Sequence, residues 1–388
     1  MKIAELFKSN IRSYGMVVAL MFIVLLFSIL SDGILLRPLN VTNLILQNSY
    51  ILVLAIGMVM VIIAGHIDLS VGSVCAFVGA IAAILMIELQ LPVVVSVVLC
   101  LLLGAIIGAW HGFFIAYCKM PSFIVTLAGM LLFRGLTMVV LGGQSISPYP
   151  GEFRLISSGF LPDLTFLGVT SYHVLTLLIG VLLSLLVVFS ELKERRTQLK
   201  HQFAVIPKGF FIAKIIAMIA VINVFTFVLA SYRGIPNILV ILFVLIVFFT
   251  FIMNKTVIGR HIYATGGNQK AAELSGVKTK LVTFGVFVNM GVMAALAGLI
   301  YAARLNAATP RAGTMFELDA IAAAFIGGAS MAGGVGTIIG AVVGGLVMGV
   351  MNNGMSLIGI TIDWQQAIKG LVLLGAVGFD IYNRNKSK

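Results

Sequence analysis

Long apolar segments dominate this sequence and restrict what it can fold into. A helix needs roughly 20 apolar residues to cross the hydrocarbon layer of a membrane, and it pairs its backbone polar groups internally. Twelve apolar segments approach that length, at about 16–31, 44–64, 69–87, 94–113, 121–141, 171–190, 210–230, 236–253, 281–303, 318–331, 335–352 and 364–382. With 61% hydrophobic residues, the chain has more apolar residues than one soluble core buries. The sequence therefore predicts a single all-α integral membrane domain over residues 1–388.

The spacing of these segments does not fit a simple series of full spans. The segments 318–331 and 335–352 are short, and only a few residues separate 44–64 from 69–87. Broken and re-entrant helices are tolerated in membranes where neighbouring protein surrounds the backbone. The sequence thus predicts a polytopic helical bundle of about 10–12 transmembrane segments, of which some could be broken or re-entrant.

Charged residues in the connections predict the orientation of the bundle, because Lys and Arg are enriched in short cytoplasmic loops. The linker 191–209 carries five basic and two acidic residues, and the loop 254–280 carries five and one. The loop 142–170, on the opposite side, has one basic and two acidic residues. Both termini, the linker and the loop 254–280 are therefore predicted to be cytoplasmic. The basic residues form no stripe with interleaved aromatics, so no nucleic-acid partner is expected.

Side chains that carry chemistry are sparse. The five His residues show no i,i+4 pair and no Cys partner at ligand spacing, so we expect no metal or haem site. Cys75, Cys100 and Cys118 are scattered in or beside apolar segments, which indicates packing rather than a disulfide framework. The chain has no Gly-Lys dipeptide and hence no phosphate-binding Walker loop. We expect a protein that is not an enzyme and has no ATPase site or cofactor of its own.

Ionisable residues within apolar segments are costly in a membrane and often functional. The candidates are Asp68, Arg134, Lys214, Asp319 and Lys369. Lys214 and Lys369 lie near segment ends and are predicted to extend their ammonium groups towards the interface, whereas Arg134 either does the same or lines a pathway. Such sparse charge disfavours an ion-coupled secondary sugar transporter, which stays open as the alternative function, and a membrane enzyme acting on lipid or quinone.

Glycines recur at four-residue spacing on two segments, which creates smooth helix faces that allow close approach. Intrachain packing is the favoured interpretation, with dimerisation as the alternative. The residues concerned are Gly104, Gly108, Gly112, Gly336, Gly340 and Gly344.

The loop 254–280 contains a polar island, GGNQKAAELSG, over residues 266–276. Asn268 suits the N-cap of a short helix formed by Gln269–Leu274, and the flanking glycines permit a sharp turn before the helix and its end afterwards. One or two helical turns in a cytoplasmic loop form a rigid knob suited to another protein's cleft, whereas the alternative is an ordinary interfacial loop. The residues assigned to this knob are Gly266, Gly267, Asn268, Lys270, Ala271, Ala272, Glu273, Ser275 and Gly276.

Five motifs occur in order along the chain: IIAGHIDLSVGS from Ile62, PSFIVTLAGMLLFRGL from Pro121, GRHIYATGGNQKAAELSGV from Gly259, ELDAIAAAFIGGASMAGGVGT from Glu317 and NNGMS from Asn352. Together they resemble the permease subunits of bacterial ABC sugar importers of the ribose, galactose, arabinose and xylose branch. The resemblance covers roughly residues 40–380. It is greatest to the xylose or multiple-sugar type, because a basic linker and an extra span precede YRGIP at Tyr232. His66 departs from the pattern, since many relatives have a small or acidic residue there.

This resemblance implies a permease that moves a monosaccharide inward across the bacterial cytoplasmic membrane by alternating access. ATP and Mg would be bound by separate ABC ATPase subunits, and sugar would be delivered by an extracytoplasmic binding protein to a pair of permease chains, expected to be identical. Residues 266–276 would be the coupling helix that docks on the ATPase. In that helix Ala271 and Ala272 would allow close approach, while Lys270 and Glu273 would offer charged contacts.

The sugar pathway has less defined candidates. The residues considered are Asp68, Ser70, Ser73 and Arg134. Carboxylate and hydroxyl groups can exchange transient hydrogen bonds with a polyhydroxylated solute, but Asp68 can equally cap the helix that follows it. Glu317 and Asp319 are candidates for contact with the binding protein, with a capping or interfacial role as the alternative.

Overall fold

A computed structural model describes residues 11–164, 172–203 and 205–386, which form helices and connections without a β-strand. The helices are α1 Ile11–Leu30, α2 Pro38–Ile63, α3 Val71–Ala83, α4 Val93–Ala116, α5 Ser122–Leu141, α6 Gly151–Ser158, α7 Val174–Lys200, α8 Lys208–Ala230, α9 Asn237–Lys255, α10 Val257–Gly267, α11 Gln269–Leu274, α12 Thr279–Leu305, α13 Phe316–Ile326, α14 Ile338–Leu357 and α15 Ile362–Lys386. A 3-10 turn, Ile34–Leu36, precedes α2, and a π-helical turn, Ile84–Glu88, extends α3.

Within the described residues, nine helices are long and apolar enough to cross a membrane: α2, α3 with its π-helical turn, α4, α5, α7, α8, α9, α12 and α14. The stretch Gly15–Leu30 of α1 is a shorter apolar helix. Each of the twelve predicted segments contains a helix, so the prediction of an all-α polytopic membrane protein is confirmed. Residues 1–10 of the predicted cytoplasmic N-terminus and residues 165–170 of the predicted outer loop lie outside the described residues.

The short helix α13 begins near the middle of the bundle. Its 11 residues extend about 16 Å, too little to cross the hydrocarbon layer. The rings of Phe316 and Tyr50 pack with centroids 4.4 Å apart, and Tyr50 lies halfway along α2. The connection 306–315 therefore runs back into the bundle before α13 starts. The connection after α13 lies beside the end of α2, where the backbone N–H of Gly334 donates to the carbonyl of Ile63, on the side opposite the end of α12. The segment predicted at 318–331 is accordingly part of a broken span, as its length suggested.

Glycine allows α13 and α14 to pack backbone against backbone. A Cβ on Gly340 would overlap the carbonyl of Gly327, and one on Gly344 would overlap the carbonyl of Ala323. The contacting residue numbers rise along α14 as they fall along α13, so the two helices are antiparallel. The predicted glycine face of α14 therefore serves intrachain packing.

The core forms around α2 and α12, which are mostly buried inside the protein. On α4, a Cβ at Gly104 would lie 2.5 Å from the carbonyl oxygen of Gly291, and one at Gly108 would lie 2.9 Å from the Cα of Val288. Small residues let helix backbones approach closely where lipid supplies no hydrophobic driving force between helices. The glycine face of α4 thus packs on α12 within the same chain.

Helices α7 and α8 form a hairpin that packs mainly on itself, with most of its surface exposed to the surroundings. Helix α7 continues to Lys200 and α8 begins at Lys208, so twelve residues of the predicted linker 191–209 are helical. Asn223 of α8 donates a hydrogen bond to Ser184 of α7 at 2.8 Å. Lys214 reaches Glu191 near the end of α7 and pairs with it at 2.7 Å, which accords with its predicted extension towards the interface.

Candidate functional site

The polar island of the loop forms a capped helix with the predicted limits. Helix α11 spans Gln269–Leu274, and the side chain of Asn268 accepts a hydrogen bond from the backbone N–H of Ala271 at 3.0 Å. The backbone N–H of Ser275 returns to the carbonyl of Ala271, and Gly276 has a φ of 85°, which glycine adopts without strain. The prediction of Asn268 as the N-cap and of Ser275 and Gly276 as the end of the helix is confirmed.

The prediction that Gly266 and Gly267 permit the sharp turn before α11 was wrong. Both residues belong to the last turn of α10, and the chain turns at Asn268, whose φ of −158° and ψ of 100° are extended. Gly266 instead allows close packing, because a Cβ there would overlap the carbonyl oxygen of Ile63 at the end of α2. The backbone N–H of Gly334 donates to the same carbonyl at 2.8 Å. The loop is thereby fixed to α2 and to the connection between α13 and α14.

The two faces of α11 differ sharply. Ala272 is buried against the rest of the chain, so it anchors the helix and does not face outward. Lys270 and Ala271 are exposed, and Leu274 is 91% exposed, the highest value among the large apolar side chains of the described residues. Sequence reasoning did not select Leu274. Its signal was a single large apolar side chain within an otherwise polar or small-residue helix.

Glu273 holds the loop together. Its Oε1 accepts hydrogen bonds from the hydroxyl of Thr279 at 2.6 Å and from the amide of Gln269 at 3.3 Å. The hydrogen bond from Thr279, followed by that from Gln269, lowers the pKa of the Glu273 carboxyl. This carboxylate therefore links α11 to the first turn of α12 before any partner is present.

A second candidate site lies where the N-termini of α3 and α13 meet near mid-depth. A Cβ on Gly72 of α3 would overlap the carbonyl oxygen of Gly313 and the Oε2 of Glu317. Paired half-helices that meet inside the bilayer are a recurring way of building transport sites. The residues brought together here come from the motifs at Ile62 and Glu317, more than 200 positions apart in the sequence.

Asp68 binds the residue just before α3. Its Oδ1 accepts hydrogen bonds from the backbone N–H of Ser70 at 2.8 Å and from the Ser70 hydroxyl at 2.6 Å, and both residues are buried. A carboxylate also complements the positive end of the helix dipole. The Asp68 carboxylate therefore holds the residue that precedes α3, although no side chain caps the first turn of the helix itself. Contact of Asp68 and Ser70 with sugar stays a prediction.

Two buried oxygens of this site have no hydrogen-bond partner among the described residues. They are the hydroxyl of Ser73, which is fully buried, and the Oε2 of Glu317. Buried polar groups are normally hydrogen-bonded, so these atoms are open to a partner in another conformation or with solute present. Ser73 therefore stays a candidate for the pathway.

Glu317 and Asp319 do not form the exposed surface that contact with a binding protein requires. Each is only 8% exposed. Asp319 of α13 forms an ion pair with Lys369 of α15, with Nζ and Oδ1 3.1 Å apart. The prediction of free snorkelling by Lys369 was therefore wrong, because the buried carboxylate of Asp319 takes its ammonium group. Asp319 is thus engaged within the chain, and neither acidic side chain makes a cap hydrogen bond at the start of α13.

Arg134 connects α5 to the connection that leads into α13. Its guanidinium donates to the carbonyl oxygen of Ala312 at 2.5 Å and approaches that of Pro310 at 3.5 Å. Arg134 therefore holds the connection 306–315 in place, and a direct contact with sugar is not required to explain its position.

A cavity of about 230 Å³ lies beside this buried cluster. It is smaller than typical small-molecule pockets of about 300–1,000 Å³ and is partly open. Ile67 brings it within one residue of Asp68, but none of the four predicted pathway residues lines it. Its lining is Ile62, Gly65, His66, Ile67, Ser122, Phe123, Phe325 and Met331.

Within the described residues, no group of three or more His, Cys, Asp and Glu side chains is arranged to hold a metal. The Sγ of Cys75 donates to the carbonyl of Ala294 at 3.0 Å, and Cys100 is buried near the carbonyl of Val78. Cys118 is exposed. The cysteines are separate free thiols, as their spacing suggested.

Apolar spanning helices, one of them broken, and a capped helix exposed on a loop accord with a membrane transport protein. The chain belongs to the family described as branched-chain amino acid transport system / permease component, whose model matches residues 40–377. It is therefore a multi-pass permease component.

Individual relatives extend over nearly the whole chain. The xylose transport system permease protein XylH of Haemophilus influenzae is 42% identical over 381 residues, which are 97% of this chain and 98% of the relative. The protein of the same name from Escherichia coli K12 is 39% identical over 97% of this chain and 94% of its own. The ribose import permease protein RbsC of Haemophilus influenzae is 34% identical over 88% of this chain and 85% of its own. No solved structure matches the chain.

Proposed function

We propose that this chain is the permease subunit of an ABC importer that carries a xylose-like pentose or a related monosaccharide into the cell. The observation that carries the proposal is α11, a capped helix fixed to the core through Ala272 that presents Leu274 at 91% exposure. A large apolar side chain held rigidly in that way suits the groove of a partner protein. The names of the xylose and ribose relatives support the class of solute.

In this proposal α11 is the coupling helix, and separate ATPase subunits bind ATP and Mg. Docking and movement of α11 pass through Gly266 to the end of α2, because the Gly266 backbone packs on the carbonyl of Ile63. Residues 64–70 lead from there to Asp68 and the cap of α3. The path from the loop to the meeting point of α3 and α13 is thus a short continuous chain of contacts.

A loaded binding protein docks on the extracytoplasmic side, two copies of the permease enclose the pathway, and switching gives alternating access. The protein resides in the bacterial cytoplasmic membrane with both termini in the cytoplasm. The small size of the cavity beside His66 accords with a permease that contacts sugar transiently while the binding protein supplies the affinity.

The test is ATP hydrolysis and sugar uptake in proteoliposomes that contain this chain, its ATPase and the sugar-loaded binding protein. Leu274→Asp is expected to lower stimulated hydrolysis and uptake by about tenfold or more, because it places a charge in an apolar contact. The matched control is Leu155→Asp on α6, which is 57% exposed and lies far from the loop. Glu273 is left intact because its hydrogen bonds hold the loop.

Normal coupling in Leu274→Asp, with the protein inserted as in the wild type, contradicts the assignment of α11. Uptake by this chain alone that disappears when ion gradients collapse contradicts the ABC importer itself and favours the secondary transporter. An equal loss in the Leu155→Asp control indicates a general defect and also counts against α11.

A further inference from the structure

The end of the α7–α8 hairpin carries charge that the proposed function does not use. Helix α7 has 27 residues and extends about 40 Å, compared with a hydrocarbon thickness of about 30 Å. Its last ten residues contain all its charged side chains. Residues 191–203 and 205–210, here called the hairpin tip, therefore lie at the membrane surface.

The charges of α7 are sorted by face. Lys193, Arg196 and Lys200 are spaced i, i+3 and i+7, which puts them within about 60° of one another around the helix. Glu191 and Glu194 lie on the other side of the helix. Glu191 pairs with Lys214 of α8, and Glu194 accepts from the amide of Gln198 at 3.2 Å, so both acidic groups are engaged.

One basic residue has a structural task, and the others do not. Arg195 donates to the carbonyl of Ile206 at 2.9 Å and lies 4.3 Å from the centroid of the Phe211 ring, which joins the two arms of the tip. The side chains of Lys193, Arg196 and Lys200 are exposed. Lys200 lies in the last turn, where it complements the helix dipole, but Lys193 and Arg196 lie further back.

Apolar side chains lie beside the basic ones. Phe203 is 65% exposed and Phe210 is 53% exposed, and Lys208, also exposed, lies between them. Aromatic rings and basic groups side by side at the end of a span are typical of the membrane interface. The tip therefore offers exposed charge and exposed apolar side chains within one short segment at the end of the two spans.

We propose that the hairpin tip binds the headgroups of anionic phospholipids. Phosphate groups complement the exposed basic face of Lys193, Arg196, Lys200 and Lys208, while Phe203 and Phe210 enter the headgroup–acyl boundary. A water-soluble phosphate lacks the acyl chains that the aromatic rings contact. Because α8 and α9 each cross the membrane, the tip lies on the same face as the coupling helix, where the cytoplasmic leaflet is anionic.

The test measures binding of phosphatidylglycerol to the full-length chain in detergent by native mass spectrometry, with phosphatidylcholine and glycerol phosphate as comparisons. The variant carries Lys193→Gln, Arg196→Gln, Lys200→Gln and Lys208→Gln. Each basic residue near a membrane surface contributes roughly fivefold, so the apparent dissociation constant of phosphatidylglycerol is expected to rise by about tenfold or more. The matched control removes four exposed arginines elsewhere, Arg37→Gln, Arg154→Gln, Arg233→Gln and Arg311→Gln.

The proposal predicts that phosphatidylglycerol binds more tightly than phosphatidylcholine, that glycerol phosphate does not compete, and that only the tip variant loses the preference. Equal loss in the control means that total charge decides, and an unchanged tip variant means that the lipid binds elsewhere; either result overturns the proposal. Competition by glycerol phosphate shows that the tip binds a soluble anion instead of a phospholipid and overturns the proposal.

A salt titration of the wild type keeps the proposal testable should the tip variant fail to fold. The preference for phosphatidylglycerol is expected to fall as salt screens the exposed charges. A preference that is independent of salt contradicts the proposal. Neither measurement uses ATP hydrolysis or sugar, so failure here leaves the proposed function intact, and the reverse also holds.

Discussion

Helix α2 and the α7–α8 hairpin are both strongly apolar, yet they lie in opposite surroundings. In α2, 89% of the most apolar stretch is buried inside the protein, compared with 17% in α7 and 11% in α8. Lipid is as apolar as a leucine side chain, so hydrophobicity alone does not select the inside of a membrane protein. The difference shows that small side chains and backbone proximity build the core here, whereas the hairpin relies on a few polar links between its own helices.

The largest expected effect comes from adding one methyl group to a core glycine. Gly108→Ala places a Cβ against the backbone of Phe287 and Val288 on α12, which cannot rotate away. The free energy of unfolding is expected to fall by about 3 kcal/mol or more, measured by thermal or denaturant unfolding in detergent.

Two further alanine variants sharpen this contrast. Gly285→Ala, at an exposed position of α12 with nothing within 4 Å of the new Cβ, is expected to leave stability unchanged or slightly raised. Gly180→Ala in the hairpin meets the side chain of Thr226, and α7 and α8 can separate into lipid, so we expect an intermediate loss. Equal losses at Gly108 and Gly180 contradict the distinction between core and hairpin.

A medium effect is expected from the two ion pairs. The side chains of Lys369 and Asp319 are 22% and 11% exposed, whereas those of Lys214 and Glu191 are 45% and 17% exposed. Lys369→Met leaves a buried carboxylate unpaired and is expected to cost about 3 kcal/mol, while Lys214→Met in the hairpin costs under about 1 kcal/mol. The measurement is the unfolding free energy of each variant.

A second substitution tests the reason for this loss. Asp319→Asn added to Lys369→Met removes the unpaired charge and is expected to restore part of the stability. A double variant as unstable as Lys369→Met alone shows that packing of α15, not charge, is responsible.

The smallest effect concerns α11, the proposed coupling helix, which is exposed like the hairpin but fixed to the core. The hydrogen bond from Thr279 lowers the pKa of Glu273. The stabilising contribution of the Glu273 carboxylate to the folded loop is therefore complete above its unfolded-state pKa and is lost as pH falls through the lower folded-state pKa. Thr279→Val raises the pKa of Glu273 towards its ordinary range. The loss of stimulated ATP hydrolysis at acid pH is expected to begin at a higher pH in Thr279→Val than in the wild type. The control variant Thr283→Val, one turn further along α12, is expected to leave this pH dependence unchanged. A shift common to both variants assigns the effect to α12 instead.

The sequence was sufficient to predict the helices but not which residues each helix contacts. Apolar length predicted a helix in all twelve segments, and local capping chemistry predicted Asn268 and the limits of α11. The role of Gly266 could not be predicted, because a glycine that ends a helix and one that packs on a distant carbonyl look alike in sequence. Lys369 was interpreted from its position near a segment end, and only its approach to Asp319, 50 residues away, shows the ion pair.

Apolar segment length, loop charge and side chains that bond within a few residues are local quantities, so the sequence by itself determined the membrane class, the helices and the capped helix α11. Tertiary structure alone decided that α13 begins at mid-depth, that Glu317 faces Gly72, that Leu274 is the exposed apolar side chain of α11, and that the hairpin remains outside the core. Each of these depends on which backbones approach closely. In a membrane that choice rests on small-residue packing between segments far apart in the chain, which hydropathy does not encode.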